Sequence, residues 1–165
     1  MKQILVVVTA VLGVLVSGVA LAQNNPFIGI WKLNLAESKP SAVPSARSET
    51  RTVDAQGDGL KVSCDGINAY WLSFAFGYAA NFDGKENPIT GAGQQWRDEQ
   101  VNGATTIALK RINTNTYEGT FKKAGKVVMT VTYAVSQDGK VTTLTAKGTD
   151  AKGQPTTDVN VFDKQ

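Results

Sequence analysis

The chain has 165 residues, no histidine and one cysteine, Cys64. Without imidazole there is no Ser–His or Cys–His nucleophile pair, no histidine proton shuttle and none of the commonest zinc ligand. One cysteine makes no intramolecular disulfide, so the fold stands on its core. Charge of either sign is scarce in blocks. Lys and Arg alternate with Asp and Glu along the chain, and 17 basic against 14 acidic side chains leave no footprint for nucleic acid. G-x-S-x-G, P-loop and Cys-x-x-Cys patterns are missing. Asp54, Asp58 and Asp65 lack the ligand density of a calcium loop. Asp98 and Glu99 are adjacent, so on a strand they face opposite sides and do not by themselves form a two-carboxylate glycosidase pair. No metal, cofactor or catalytic residue is expected, and the chain reads as a non-enzyme.

Helical periodicity is also missing beyond the first residues. Turn dipeptides punctuate the chain instead: Asp58-Gly59, Asp65-Gly66, Asp83-Gly84, Asn102-Gly103 and Asp138-Gly139, which tolerate the positive φ of tight hairpins. Between them the apolar residues recur at period two. Val127, Met129, Val131, Tyr133 and Val135 share one face of KVVMTVTYAV; Tyr117, Gly119 and Phe121 share one face of NTYEGTFKK. Leu60, Val62 and Cys64 alternate in the same way, which buries the thiol as a small hydrophobe; a reactive or dimer-linking thiol is the competing reading. In AYWLSFAFGY the face is Tyr70, Leu72, Phe74, Phe76 and Tyr78. About ten strands follow, with SARSETRTVDA and QWRDEQVN the least clear. Loops are expected at 34–45, around Pro40 and Pro44, and at 83–93, in DGKENPITGAG. A meander of this length hides its edges most simply by closing on itself. The predicted fold is all-β: a single up-and-down antiparallel β-barrel of about 8–10 strands.

The segment Phe27-Ile28-Gly29-Ile30-Trp31-Lys32-Leu33 places Phe27, Gly29, Trp31 and Leu33 on one strand face. Glycine admits a close neighbour, and the indole two residues on can plug the tapering end of a barrel. This stretch resembles the G-x-W first strand of the calycin group, the lipocalins and fatty-acid-binding proteins. With the Asp83-Gly84-Lys85-Glu86-Asn87-Pro88 loop, it also resembles secreted bacterial lipocalin-like proteins of unassigned function. The resemblance implies a ligand-holding barrel with Gly29 and Trp31 closing its base. Three family features are missing. No arginine follows Arg111 to pack across the tryptophan, Lys164 being the nearest cation, and VNVFDKQ holds no Arg-x-Tyr pair. Residues 34–45 are too short and proline-rich for the two helices of fatty-acid-binding proteins. Only the packing role of Gly29 and Trp31 carries over.

Tyr70, Phe74, Phe76, Tyr78, Tyr117, Phe121, Met129 and Tyr133 form the expected inward set, which either lines a pocket for an apolar or amphipathic ligand or fills the barrel outright. Arg111 follows Ile107 and Leu109 at period two. It either grips a ligand carboxylate, caps the barrel over Trp31, or lies beyond the strand end in solvent. Arg47, Glu49 and Arg51 share a face with Val53. A charged, solvated edge strand is the favoured reading, and an inward polar rim the other. The functional expectation is non-covalent binding of a small apolar or amphipathic molecule in the barrel. The alternatives are a filled structural or interaction module of the cell envelope, and a carboxylate-based enzyme at the barrel mouth.

The first residues read as an export leader. Lys2 precedes an aliphatic run from Ile4 to Val16, and Val19-Ala20-Leu21-Ala22 offers a small-x-small cleavage signal before Gln23. The run is short of the ~20 apolar residues of a membrane span. The expected organisation is a signal peptide at 1–22 and one barrel domain at 23–165, secreted or periplasmic, with no membrane span after cleavage and an oligomeric state the residues leave open. N-terminal sequencing of the exported protein should begin at Gln23; an intact Met1 would contradict this.

Overall fold

The computed structural model describes residues 25–41, 46–91, 101–150 and 152–165. Residues 1–22, read above as an expected leader, Asp98 and Glu99, and most of QWRDEQVN lie outside these residues. Among the described residues there is no helix. One antiparallel sheet of eleven strands curls into a nearly closed barrel.

In chain order the strands are β1 (Gly29–Lys39), β2 (Ala46–Gln56), β3 (Gly59–Asn68), β4 (Ser73–Asn81), β5 (Asn87–Pro88), β6 (Thr90–Gly91), β7 (Thr106–Asn113), β8 (Thr116–Lys123), β9 (Lys126–Val135), β10 (Val141–Thr149) and β11 (Pro155–Lys164). Nine are long and pair mostly with their sequence neighbours, as tight turns dictate. The meander joins its first and last long strands through β1 and β11, with Trp31 opposite Lys164 and Leu33 opposite Phe162.

The remaining seam, between β4 and β7, is stitched by a segment that the sequence reading takes for a plain loop. Asn87 and Pro88 pair with Ile107 and Thr106 on β7, while Thr90 and Gly91 pair with Gly77 and Phe76 on β4. Ile89 between them is buried, and its amide donates to the Thr105 carbonyl at 3.0 Å. Just upstream, Asp83 bridges to Lys110, and the Gly84 amide donates to the Leu109 carbonyl at 3.0 Å. The stretch from Asp83 to Gly91 therefore covers part of the two sheet edges that a meander leaves over, the DGK-x-x-P residues on β7 and Thr90–Gly91 on β4.

The other expected loop, at 34–45, is corrected over 34–39; residues 40–41 are outside any strand, and 42–45 lie outside the described residues. β1 continues to Lys39, but with its register against β11 shifted between Asn34 and Lys39. The Ser38 hydroxyl holds this bulge by donating to the Asn34 carbonyl at 2.7 Å and accepting from the Val161 amide at 3.0 Å. β1 pairs with β2 only as far as Lys32 opposite Thr50, so the two strands part above that point.

One end of the barrel is sealed. Trp31 is 2% exposed, and its indole Nε1 donates to the Phe27 carbonyl at 2.8 Å. The Lys164 ammonium lies 5.0 Å from the indole centroid. It reaches there because Gly29 has no side chain: a Cβ on Gly29, whose φ is +140°, would stand 2.7 Å from Lys164 Cε. Lysine thus occupies the place over the tryptophan for which no arginine is available. Behind the indole, Phe27 meets Tyr117 edge-on at 4.7 Å, and Tyr117 stacks on Tyr133 at 4.4 Å.

Trp31→Ala should cost about 3–5 kcal/mol of unfolding free energy, read from urea denaturation followed by circular dichroism. Gly29→Ala should cost about 1–3 kcal/mol through its positive φ and the displaced lysine. A Trp31→Ala protein as stable as the parent would show that the indole does not close the barrel.

Candidate functional site

The inward faces of the strands divide the barrel into two regions. The sealed end is filled by aromatic and aliphatic side chains, leaving a void of about 20 Å³ among residues that include Phe27, Trp31, Val62 and Phe162. Toward the open end lies a cavity of about 120 Å³. Its apolar wall comes from β4, β8 and β9, with Phe76, Phe121, Met129 and Val131; its polar wall comes from β2 and β11, with Glu49, Arg51, Thr156, Asp158 and Asn160. Arg51, Tyr133 and Leu144 border both spaces.

Arg51 is the partition between them. It lies in a row of paired residues, with Trp31 on β1, Cys64 on β3 and Phe76 on β4. Its guanidinium crosses the barrel: Nη1 donates to the Tyr133 hydroxyl at 3.4 Å, and Cζ lies 4.8 Å from the Phe162 ring centroid. The Nε stands 2.6 Å from Glu49 Oε1. The N–H direction misses that oxygen, so the contact is an ion pair, and both atoms lack an aligned hydrogen-bond partner. Glu49 is 6% exposed. Burial opposes the charge on Arg51, but Glu49, helped by Cys64, Tyr133 and Tyr78, outweighs it and holds the guanidinium above its ordinary pKa.

Three neighbours complete this interior. Burial pushes the Cys64 thiol up from 9.0 to about 12, against the opposing pull of Arg51, so the cysteine stays protonated and inert at neutral pH. This agrees with its reading as a small buried hydrophobe. The Tyr78 hydroxyl is buried without a hydrogen-bond partner, and burial, with Tyr117 and Tyr133 beside it, holds it well above its usual pKa. Thr142 Oγ1 is likewise buried and unpartnered.

The expected interior set is therefore split. Phe76, Phe121, Met129 and Tyr133 line the cavity. Phe74, Tyr78 and Tyr117 are buried in the core away from it. Tyr70 is not interior at all. It is 71% exposed, because the chain turns out of the sheet at 69–72 before β4 begins. The Asn68 side chain shapes this turn by accepting from the Tyr70 amide at 3.0 Å and the Leu72 amide at 2.9 Å, and Trp71 adopts a φ of 65°. Arg111 is exposed at the sealed end, with its guanidinium 4.1 Å from the Phe82 ring centroid and 6.0 Å from that of Phe27. It caps the base from outside and does not reach the cavity.

The favoured reading of Arg47, Glu49 and Arg51 as edge charges is overturned for two of the three. β2 lies between β1 and β3, so its inward face is core. Only Arg47 is in solvent, where it stacks 4.1 Å from the Trp71 centroid. The signal for Glu49 and Arg51 is their period-two spacing from Val53. No family model matches the chain, and no curated protein matches its sequence. Among the described residues no group of acidic or cysteine side chains is placed to hold a metal ion.

Arg51→Met should lower stability by about 3–5 kcal/mol, because Glu49 would stay buried without its counter-charge. Glu49→Leu combined with Arg51→Met should recover most of that loss in the same chemical denaturation. Equal losses in the single and double variants would mean that the two charges are not coupled.

Proposed function

We propose that this chain is an exported small-molecule binding protein of lipocalin-like type, holding a compact amphipathic ligand in the open-end cavity. The observation that carries this reading is a roughly half-polar, half-apolar cavity of about 120 Å³ beside a buried ion pair whose facing atoms lack aligned hydrogen bonds. Such a site joins apolar surface to a few convergent polar groups, as ligand pockets do. Its size bounds the ligand. An apolar cavity of about 150 Å³ holds one benzene, so a single ring or a short branched chain fits and a long acyl chain does not. The export leader at 1–22 supports a secreted or periplasmic setting. The G-x-W strand supports the lipocalin-like assignment through the packing of Gly29 and Trp31 alone.

Binding is favoured over carboxylate chemistry because Glu49 is engaged with Arg51 and so is not a free acid or base. A second reading, an interaction module of the envelope, draws on the exposed tip formed by Tyr70, Trp71 and Leu72. The two separate on one variant. Ala146→Leu puts a larger side chain into the cavity from β10 and leaves the tip at 70–72 unchanged. Saturable NMR shifts induced at cavity residues by benzene-sized fragments should vanish in this variant, with the melting temperature held or raised. Unchanged fragment binding, or no fragment binding by the parent protein, would refute the cavity reading.

A further inference from the structure

We infer that the cavity selects a small amphipathic amine, a single ring or short apolar group carrying a cationic nitrogen, over a carboxylate of the same size. This rests on the reading of the barrel as a binding protein and names its ligand class.

Among the described residues three charged side chains line the cavity: Glu49, Arg51 and Asp158. Arg51 is held by Glu49 at 2.6 Å, so the one cation of this described lining is already neutralised. Asp158 leaves the described lining with an excess of one negative charge. It sits on β11, partly buried, and its Oδ1 accepts from the Ser41 amide at 2.6 Å, which fixes the carboxylate at the open end. An incoming carboxylate would compete with Glu49 for Arg51 while facing Asp158 across a small, partly desolvated space. An incoming ammonium meets neither penalty.

The rest of the polar wall points to the same ligand. The neutral neighbours Thr156 and Asn160 add oxygen acceptors to the same wall. Opposite them, Phe76 and Phe121 present rings, and Met129 a polarisable sulfur, to the apolar part and to a nearby cation. The whole chain is formally +3, but that field is screened beyond about 8 Å at physiological salt, so the groups lining the cavity decide.

The test uses three probes of one size: benzylamine, benzyl alcohol and benzoate, titrated at neutral pH and physiological ionic strength into the full exported chain, with NMR shifts of the Asn102 and Asn160 side-chain amides as readout. Benzylamine should bind at least about tenfold more tightly than benzoate, with benzyl alcohol between them, as expected for one charge-assisted hydrogen bond. Asp158→Asn, which keeps an acceptor for the Ser41 amide, should remove most of that gap, and Asn160→Asp should widen it. Equal binding of all three probes, or a preference for benzoate, overturns the amine inference and leaves the binding reading standing. A gap that neither variant moves overturns the role of Asp158 and with it the inference. Saturation by none of the three takes down the inference and the binding reading together.

Discussion

The seal at the narrow end governs the interior. Trp31 fills the base, Gly29 lets the Lys164 stem cross behind it, and the indole N–H is satisfied by the Phe27 carbonyl. Because the indole packs that end closed, an inward charge in the same row as Trp31 is desolvated. Arg51 is the strand partner of Trp31, so the register that buries the tryptophan also buries the guanidinium. The plug and the buried ion pair are two consequences of one strand alignment. A shift of β2 by one residue would send Arg51, Val53 and Glu49 outward together.

A guanidinium inside a barrel needs compensation, and the fold provides it from several directions. Glu49 is two residues away on the same strand face, the Tyr133 hydroxyl is across the barrel, and the Phe162 ring lies against the cation. Replacing such a pair by hydrocarbon is often neutral or stabilising, so its presence is not explained by stability alone. Its position gives the physical consequence. The extended arginine divides the interior, leaving a packed base on one side and an unfilled cavity on the other.

Much of the architecture was legible in the sequence, because alternation and turn dipeptides report on local backbone. The long strands, the inward Tyr117, Phe121 and Tyr133, the buried Cys64 and the plug at Trp31 all follow from period two and a glycine spacing. The errors share one cause, which is that periodicity does not mark where a strand stops or which strand is an edge. Tyr70 keeps the alternating pattern of its neighbours, yet the chain leaves the sheet there. The turn is made by the Asn68 side chain and a tryptophan with positive φ; asparagine is a turn former, but here it stands alone without glycine or proline inside an alternating run, and tryptophan is not a usual turn residue. Residues 34–39 carry no strong strand pattern, but ladder pairing with β11 and the Ser38 hydroxyl hold them in place. Glu49 and Arg51 look like surface residues until the order of the sheet puts β2 in its middle. Half of the cavity was readable for the same reason. Its aromatic wall shows in alternation, whereas its polar wall depends on which strands become neighbours.

The cavity itself follows from the behaviour of β1. Between the two polar strands β11 and β2 lies a strand whose upper part bulges, and whose pairing with β2 ends at Lys32 opposite Thr50. Leu33 still packs against the core, but Leu35, which alternation would aim inward above it, is 47% exposed and does not border the cavity. With the Leu35 side chain turned out, Glu49 and Asp158 face the open space from either side of β1, while Phe76, Phe121 and Met129 face it from the far wall. Polarity therefore changes across the width of the barrel and not along its axis. A bound amphipathic molecule would lie crosswise, its apolar part against β4, β8 and β9 and its polar group toward β2 and β11. That orientation separates this barrel from one that takes a long chain end-on. It follows from the same bulge that leaves the space open.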